Sequence, residues 1–414
     1  MDARSAVSAR DAADPRDSGY SWVRLAISVL LATLGGVGMW SVVVALPTVQ
    51  AEFGVGRGEA ALPYAMTTVG YAFGGILTGR LADRFGVTVP AVGGAVALAT
   101  GYVASAWASD LWQFALAQGL LIGSGSSATF GPLIADISHW FERRRGIAVA
   151  ICASGSYLAG AIWPPVVQHL IAGEGWRRAH VHIGLFCLVA VTALALTLRR
   201  RAPMLGDFGV GTQATSGTLG LGPNTLMIVL SVAGVACCVA MAMPQVHIVA
   251  YCGDLGYGAA RGAEMLSVML GCGIVSRIAS GWIADRAGGL ATLLLGSVLQ
   301  ATALTLYLAF DGLTSLFVIS GLFGLFQGGI VPSYAIIVRE YFPPGEAGAR
   351  LGIVLMATLF GMAGGGWLSG AIFDYTGSYQ AAFANGILWN LLNMAIAVWL
   401  LLRRERLSRQ PAPA

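Results

Sequence analysis

The sequence contains no lysine. All 24 basic residues of the 414-residue chain are arginine, which excludes every lysine-based mechanism and any Gly-x-x-x-x-Gly-Lys phosphate loop. An ATP-driven pump would therefore need another subunit. Charge of either sign is scarce: charged residues make up 11% of the chain and hydrophobic residues 56%, against about 25% charged in a soluble domain. That composition belongs in a bilayer. The six cysteines (Cys152, Cys187, Cys237, Cys238, Cys252 and Cys272) show no metal spacing and read as small buried hydrophobes. His180 and His182 are two apart, so they do not share a helix face. No catalytic centre, cofactor or metal site is expected. The net charge of +4 calls for no nucleic-acid partner, because the arginines sit between apolar runs. The first twenty residues are polar and lack the apolar core of a cleavable signal peptide.

Against this background, twelve segments reach the roughly 20 apolar residues a spanning helix needs. They lie near 22–46, 59–79, 88–107, 111–136, 146–170, 180–198, 224–252, 262–283, 290–310, 314–338, 350–372 and 380–402. The expected fold is an all-α membrane protein of twelve transmembrane helices in two pseudo-symmetric six-helix bundles. Its divisions are a disordered N-terminal tail (1–20), a first bundle (21–199), a Gly/Thr-rich linker (200–223), a second bundle (224–403) and a C-terminal tail (404–414). An even number of spans puts both termini on one side. The N-tail (Arg4, Arg10, Arg16, Arg24), the loops after helices 2, 4, 6, 8 and 10, and the C-tail carry most of the arginines. The opposite loops hold Arg57, Arg177, Arg178 and Arg261. The positive-inside rule places the arginine-rich side, tails and linker in the cytoplasm of a bacterial inner membrane.

The halves repeat each other at an offset near 200 residues. "GRLADRFG" (79–86) follows helix 2 and "GWIADRAG" (281–288) follows helix 8, both spelling Gly-x-x-x-Asp-Arg-x-Gly. Pro132 in helix 4 answers Pro332 in helix 10, and Trp140-Phe141 answers Tyr341-Phe342. Two similar bundles rocking about a midplane site are what alternating access requires. With its doubled loop the chain resembles the major facilitator superfamily over nearly all of residues 20–405. Asp83, Arg84, Asp285 and Arg286 are placed to form a gating latch on the cytoplasmic side. The alternative is a solvated turn with topology-setting arginines.

Four stretches narrow the resemblance: "GMWSVVVALPTVQAEFGVGR" in helix 1, "SHWFERRRGIAVAICASGS" between helices 4 and 5, "HIVAYCGDLGY" ending helix 7, and "GIVSRIASGWIADRAGG" in helix 8. They look like the monocarboxylate transporter family and its bacterial relatives, including the oxalate–formate exchangers. The resemblance implies that Arg277 binds the substrate carboxylate. Helical spacing agrees: Gly273, Ser280 and Gly281 give Arg277 a face of small residues, while Ile274, Ile278 and Trp282 can face lipid. Arg277 precedes Asp285 by eight residues, about 12 Å at 1.5 Å per residue, too deep for easy snorkelling. An arginine there costs about 2.5–3.5 kcal/mol on insertion scales. A guanidinium offers a carboxylate two parallel donors. The chain departs from family pattern in three places. Gly273 stands where eukaryotic members have an aspartate, helix 1 lacks their lysine, and helix 11 ("VLMATLFGMAGGGW") lacks the exchangers' lysine. A single cation favours a monocarboxylate, and the usual proton-carrying pair is incomplete.

Other candidates are less sharply placed. His247, seven residues before Asp254, is either proton-linked or substrate-contacting, or a hydrogen-bonded packing residue. Asp254 either caps the outer gate or lies at a solvated helix end. Tyr334 resembles the aromatic residue lining the carboxylate site of relatives; Tyr157 and Trp40 are weaker candidates with packing as the alternative. The expected function is a secondary carrier that moves a lactate- or pyruvate-like monocarboxylate, with proton symport. The rival readings are an oxalate–formate-type exchanger, an efflux carrier for amphipathic compounds, and a transporter-like membrane sensor. The expected partners are a small carboxylate anion, a co-transported proton and membrane lipid, with the protein a monomer.

Overall fold

The computed structural model describes residues 16–200 and 219–408. Parts of the expected tails (1–15, 409–414) and of the expected linker (201–218) lie outside the described residues. The first half comprises α1 (Gly19–Phe53), α2 (Arg57–Phe85), α3 (Thr88–Ala106), α4 (Leu111–Trp140), α5 (Arg145–Glu174) and α6 (Trp176–Thr197). The second comprises α7 (Pro223–Asp254), α8 (Ala259–Ala287), α9 (Gly289–Ala309), α10 (Leu313–Tyr341), α11 (Pro344–Thr376) and α12 (Tyr379–Ser408). Among the described residues, 11 helices are long and apolar enough to cross a membrane. The remaining rod, α2, has the length, at 29 residues, but is more polar. Its threonines explain how it stays inside: Thr67, Thr68 and Thr78 are buried and turn their hydroxyls back to the carbonyls of Pro63, Tyr64 and Gly74.

The chain ends on the face where it began, here called the terminal face; the other is the distal face. The repeat seen in the sequence is physical. Gly86 and Gly288 close α2 and α8 with φ of 82° and 83°, and their N–H groups donate to Ala82 and Ala284 at 2.8 and 2.9 Å. A side chain would strain that left-handed turn, so both copies end in glycine. Within each half, small residues bring backbones together in matching places. A Cβ on Gly70 (α2) would overlap the Gly119 carbonyl of α4, and one on Gly324 (α10) would overlap the Met269 carbonyl of α8. Helix 4 accommodates the close approach with a widened π-helical stretch at Ala117–Gly123.

The halves meet along two seams, α2 with α11 and α5 with α8. Gly58 faces Ala371, Gly370 faces the Arg57 carbonyl, and Gly366 faces Tyr64. On the other seam Gly160 faces Leu270 and Gly273 faces Tyr157. Toward the terminal face the contacts give out: a Cβ on Gly79, Gly146, Gly281, Gly345, Gly348 or Gly352 would find nothing within 4 Å. The two bundles are thus joined at the distal face and parted at the terminal one.

Candidate functional site

The small face of α8 aims its arginine. Gly273 packs on the Tyr157 ring of α5, and Ser276 and Ser280 pack on Gly328 and Gly329, where α10 is interrupted. Ile278 and Trp282 are 66% and 60% exposed on the outer side. Arg277 therefore reaches across the α5/α8 seam. Its guanidinium carbon stands 4.1 Å from the centre of the Tyr157 ring, a cation–π geometry. One terminal nitrogen donates to the Ala153 carbonyl at 3.3 Å, and Nε is buried without a partner. No ion pair among the described residues includes Arg277. Tyr71 of α2 lies within its electrostatic reach. Trp40 lies against Gly160, three residues on from Tyr157 along α5: a Cβ on Gly160 would meet the indole at 2.9 Å. Arg277 and Tyr157 thus form a contact between the halves, holding a cation whose donors are only partly used.

The other expected site residues lie elsewhere. Tyr334 is fully buried and donates to Asn393 Oδ1 at 2.9 Å, inside the second half. His247 is also fully buried, its Nε2 2.8 Å from the Gly366 carbonyl of α11. Its Nδ1 has no partner. Asp83, Arg84, Asp285 and Arg286 are exposed at the terminal face. Arg286 stacks on Trp282 at 3.7 Å. Asp83 and Arg84 border a cavity of about 910 Å³ that also touches Asp136, His139 and Arg199.

Asp254 belongs to a distal cluster that the sequence did not disclose. Arg57, at the first position of α2, is 6% exposed. It donates to Asp254 at 3.0 and 3.3 Å and to the Tyr379 hydroxyl at 2.7 Å. Tyr379 in turn donates to Asp254 at 2.9 Å. The Asp374 carboxylate accepts the backbone N–H groups of Arg57 and Gly58 at 2.6 and 2.7 Å. An acidic side chain of the second half thus caps the N-terminus of a first-half helix, where the helix dipole favours negative charge. In the sequence Arg57 was only a loop arginine; its partners lie 197 to 322 residues away. Arg24, counted with the N-tail, is likewise 1% exposed. It grips Asp136 through two bonds of 2.7 and 2.9 Å.

Comparison with known proteins agrees with this architecture. The family model described as Major Facilitator Superfamily matches residues 28–315 and 265–414. Monocarboxylate transporter 13 of Bos taurus is 30% identical over 383 residues, covering 90% of this chain and 87% of that protein. Monocarboxylate transporter 11 of Homo sapiens is 26% identical, covering 90% and 81%. Among solved structures, a bacterial homologue of the human lysosomal transporter Spinster, in an inward-facing and occupied conformation, superposes with a TM-score of 0.70. It is 13% identical and covers 96% of this chain and 100% of that one, a likeness of fold alone.

Proposed function

The chain belongs to the major facilitator superfamily and, within it, to the monocarboxylate transporter family; from that premise we propose that it is a secondary carrier for a small monocarboxylate of the lactate or pyruvate kind. It works by alternating access with proton symport. The observation that carries this reading is Arg277: a half-buried guanidinium between the two bundles, stacked on Tyr157, with no counter-charge and an unpartnered Nε. A cation in such a place is expensive unless something anionic joins it. A carboxylate would use the free edge of the guanidinium in plane, through two parallel hydrogen bonds. A single cation suits one carboxylate rather than two. The stretch of α11 from Leu351 to Trp367 carries no charge, which argues against an oxalate-type substrate. Tyr157 and Trp40 supply the apolar wall for the organic part.

With the arginine-rich terminal face in the cytoplasm of a bacterial inner membrane, the arrangement is that of a carrier closed outside and open inside. The test is uptake of labelled lactate, pyruvate and oxalate into proteoliposomes, with and without a pH gradient. The intact protein should take up the monocarboxylates, faster with acid outside, and Arg277→Ala should not. Normal monocarboxylate uptake by Arg277→Ala would overturn the assignment, and uptake indifferent to the gradient would replace symport by exchange.

A further inference from the structure

The distal cluster is an inter-half contact built from ionisable groups, and it must come apart for the distal face to open. We propose that it is a proton-binding site: a proton taken from the distal solution by Asp254 releases Arg57 and lets the distal face open. Three observations carry this. Among the described residues the pair is the one ion pair that joins the halves at the distal face, with Arg57 supplied by α2 and Asp254 by α7. Its two members differ in access: the Asp254 side chain is 40% exposed while that of Arg57 is 8% exposed. A proton can therefore reach Asp254 before the contact opens. Among the described residues the Arg57 guanidinium has no second carboxylate once Asp254 is neutral, because Asp374 is engaged by the N–H groups of Arg57 and Gly58; the neutral Tyr379 hydroxyl and the Phe373 and Tyr379 rings are its remaining contacts in the second half. Arg57 Nε already lacks a partner.

The step balances simply. A proton from distal water adds to the Asp254 carboxylate; the guanidinium keeps its charge and exchanges the carboxylate for water as the faces part. The groups facing Asp254 are Arg57 on α2 and Tyr379 on α12. Asp374 on α11 lies behind the α2 terminus, and His247 and Tyr251 lie on α7 itself. Asp311, in the connection before α10, acts on Tyr251. His247 is the rival proton acceptor. It feels Arg57, Asp374 and Asp254 electrostatically, but it is fully buried and bonded to Gly366, out of reach of distal water. The proposal gives the symport reading its gate, yet the opening it describes is measurable without any substrate.

The experiment places spin labels at Trp107→Cys and Tyr375→Cys, which are 80% and 94% exposed on the distal ends of opposite halves. The native cysteines are buried, or half-buried at Cys272, and react slowly. Inter-label distances are recorded in lipid nanodiscs across a falling pH series. The unmodified background should shift toward longer distances as the pH falls. Asp254→Asn should show the long-distance population already at the alkaline end, and no further change. His247→Gln should respond like the parent. A parent without pH response, an Asp254→Asn protein that keeps it, or a response abolished by His247→Gln instead, would each overturn the proposal. Substrate counterflow in proteoliposomes runs alongside: its absence in the parent would defeat the carboxylate reading while leaving the distance result to decide the gate.

Discussion

The first helix of each half ends in a carboxylate, and the two carboxylates serve different ends. Glu52 closes α1 and is held within its own half: Trp176 donates to it through Nε1, and Arg177 reaches it at 2.7 and 2.9 Å. Asp254 closes α7 and, among the described residues, its hydrogen-bond partner in its own half is the Tyr379 hydroxyl. Its cation is Arg57, from the other half. The cause is legible in the last helix of each repeat. Helix 6 opens Trp176-Arg177-Arg178, whereas helix 12 opens Tyr379-Gln380 and offers no cation. One scaffold therefore yields an internal brace on one side and a clasp between halves on the other. Arg24–Asp136 is a second internal brace, buried at 1% and 10% side-chain exposure. Braces should set the stability of a bundle, and clasps the balance between conformations.

The sharpest way to break this distinction is to remove a brace and look for a change of state. Arg24→Ala leaves Asp136 buried and uncompensated, a loss of about 3–5 kcal/mol. The melting temperature should fall strongly while the Trp107–Tyr375 label distance stays put. Arg57→Ala should do the converse. Because Asp254 is half open to water, the closed state loses about 1–3 kcal/mol, a shift of roughly 5–150-fold in the closed-to-open ratio, with little change in melting. Tyr379→Arg sharpens the comparison by giving α12 the cation that α6 has. Asp254 should then be satisfied at home, and the label distances should lengthen by a balance of about 1 kcal/mol. The smallest effect belongs to Glu52→Gln. Its pair is 35% and 41% exposed, so less than about 1 kcal/mol of stability is at stake, and neither label distance nor transport should move. A brace variant that opens the distal face would erase the difference between brace and clasp.

The legibility of the molecule follows the same division. Spans, repeat and fold class are written in local pattern: apolar runs of bilayer length, arginines between them, and a doubled Gly-x-x-x-Asp-Arg-x-Gly whose last glycine needs a positive φ. The small face around Arg277 was equally local, since Gly273, Ser280 and Gly281 lie within about one turn of it; in the fold Gly273 and Ser280 pack against neighbours, whereas Gly281 is exposed. What could not be read were pairings between distant helices. Arg57 and Arg24 look like other loop arginines until the fold brings Asp254 and Asp136 to them. The bonds of Tyr334 to Asn393 and of His247 to Gly366 likewise depend on which helices are neighbours. The Gln245–Gln327 contact between α7 and α10, 2.7 Å long and fully within the second half, was invisible for the same reason. Helix 2 was legible by length but misleading by polarity, because its threonines satisfy themselves along the helix.

Arg277 is proposed to hold the carboxylate of the substrate. The direct measurement is ligand-dependent thermal stability of the purified protein with pyruvate and lactate, in parallel for the intact chain and Arg277→Ala. Binding at 100 times the dissociation constant stabilises by about 2.7 kcal/mol, enough for a clear rise in melting temperature. That rise should appear with monocarboxylates for the intact chain, but not with the corresponding uncharged amides, and not for Arg277→Ala with any of them. An equal rise in Arg277→Ala would contradict it.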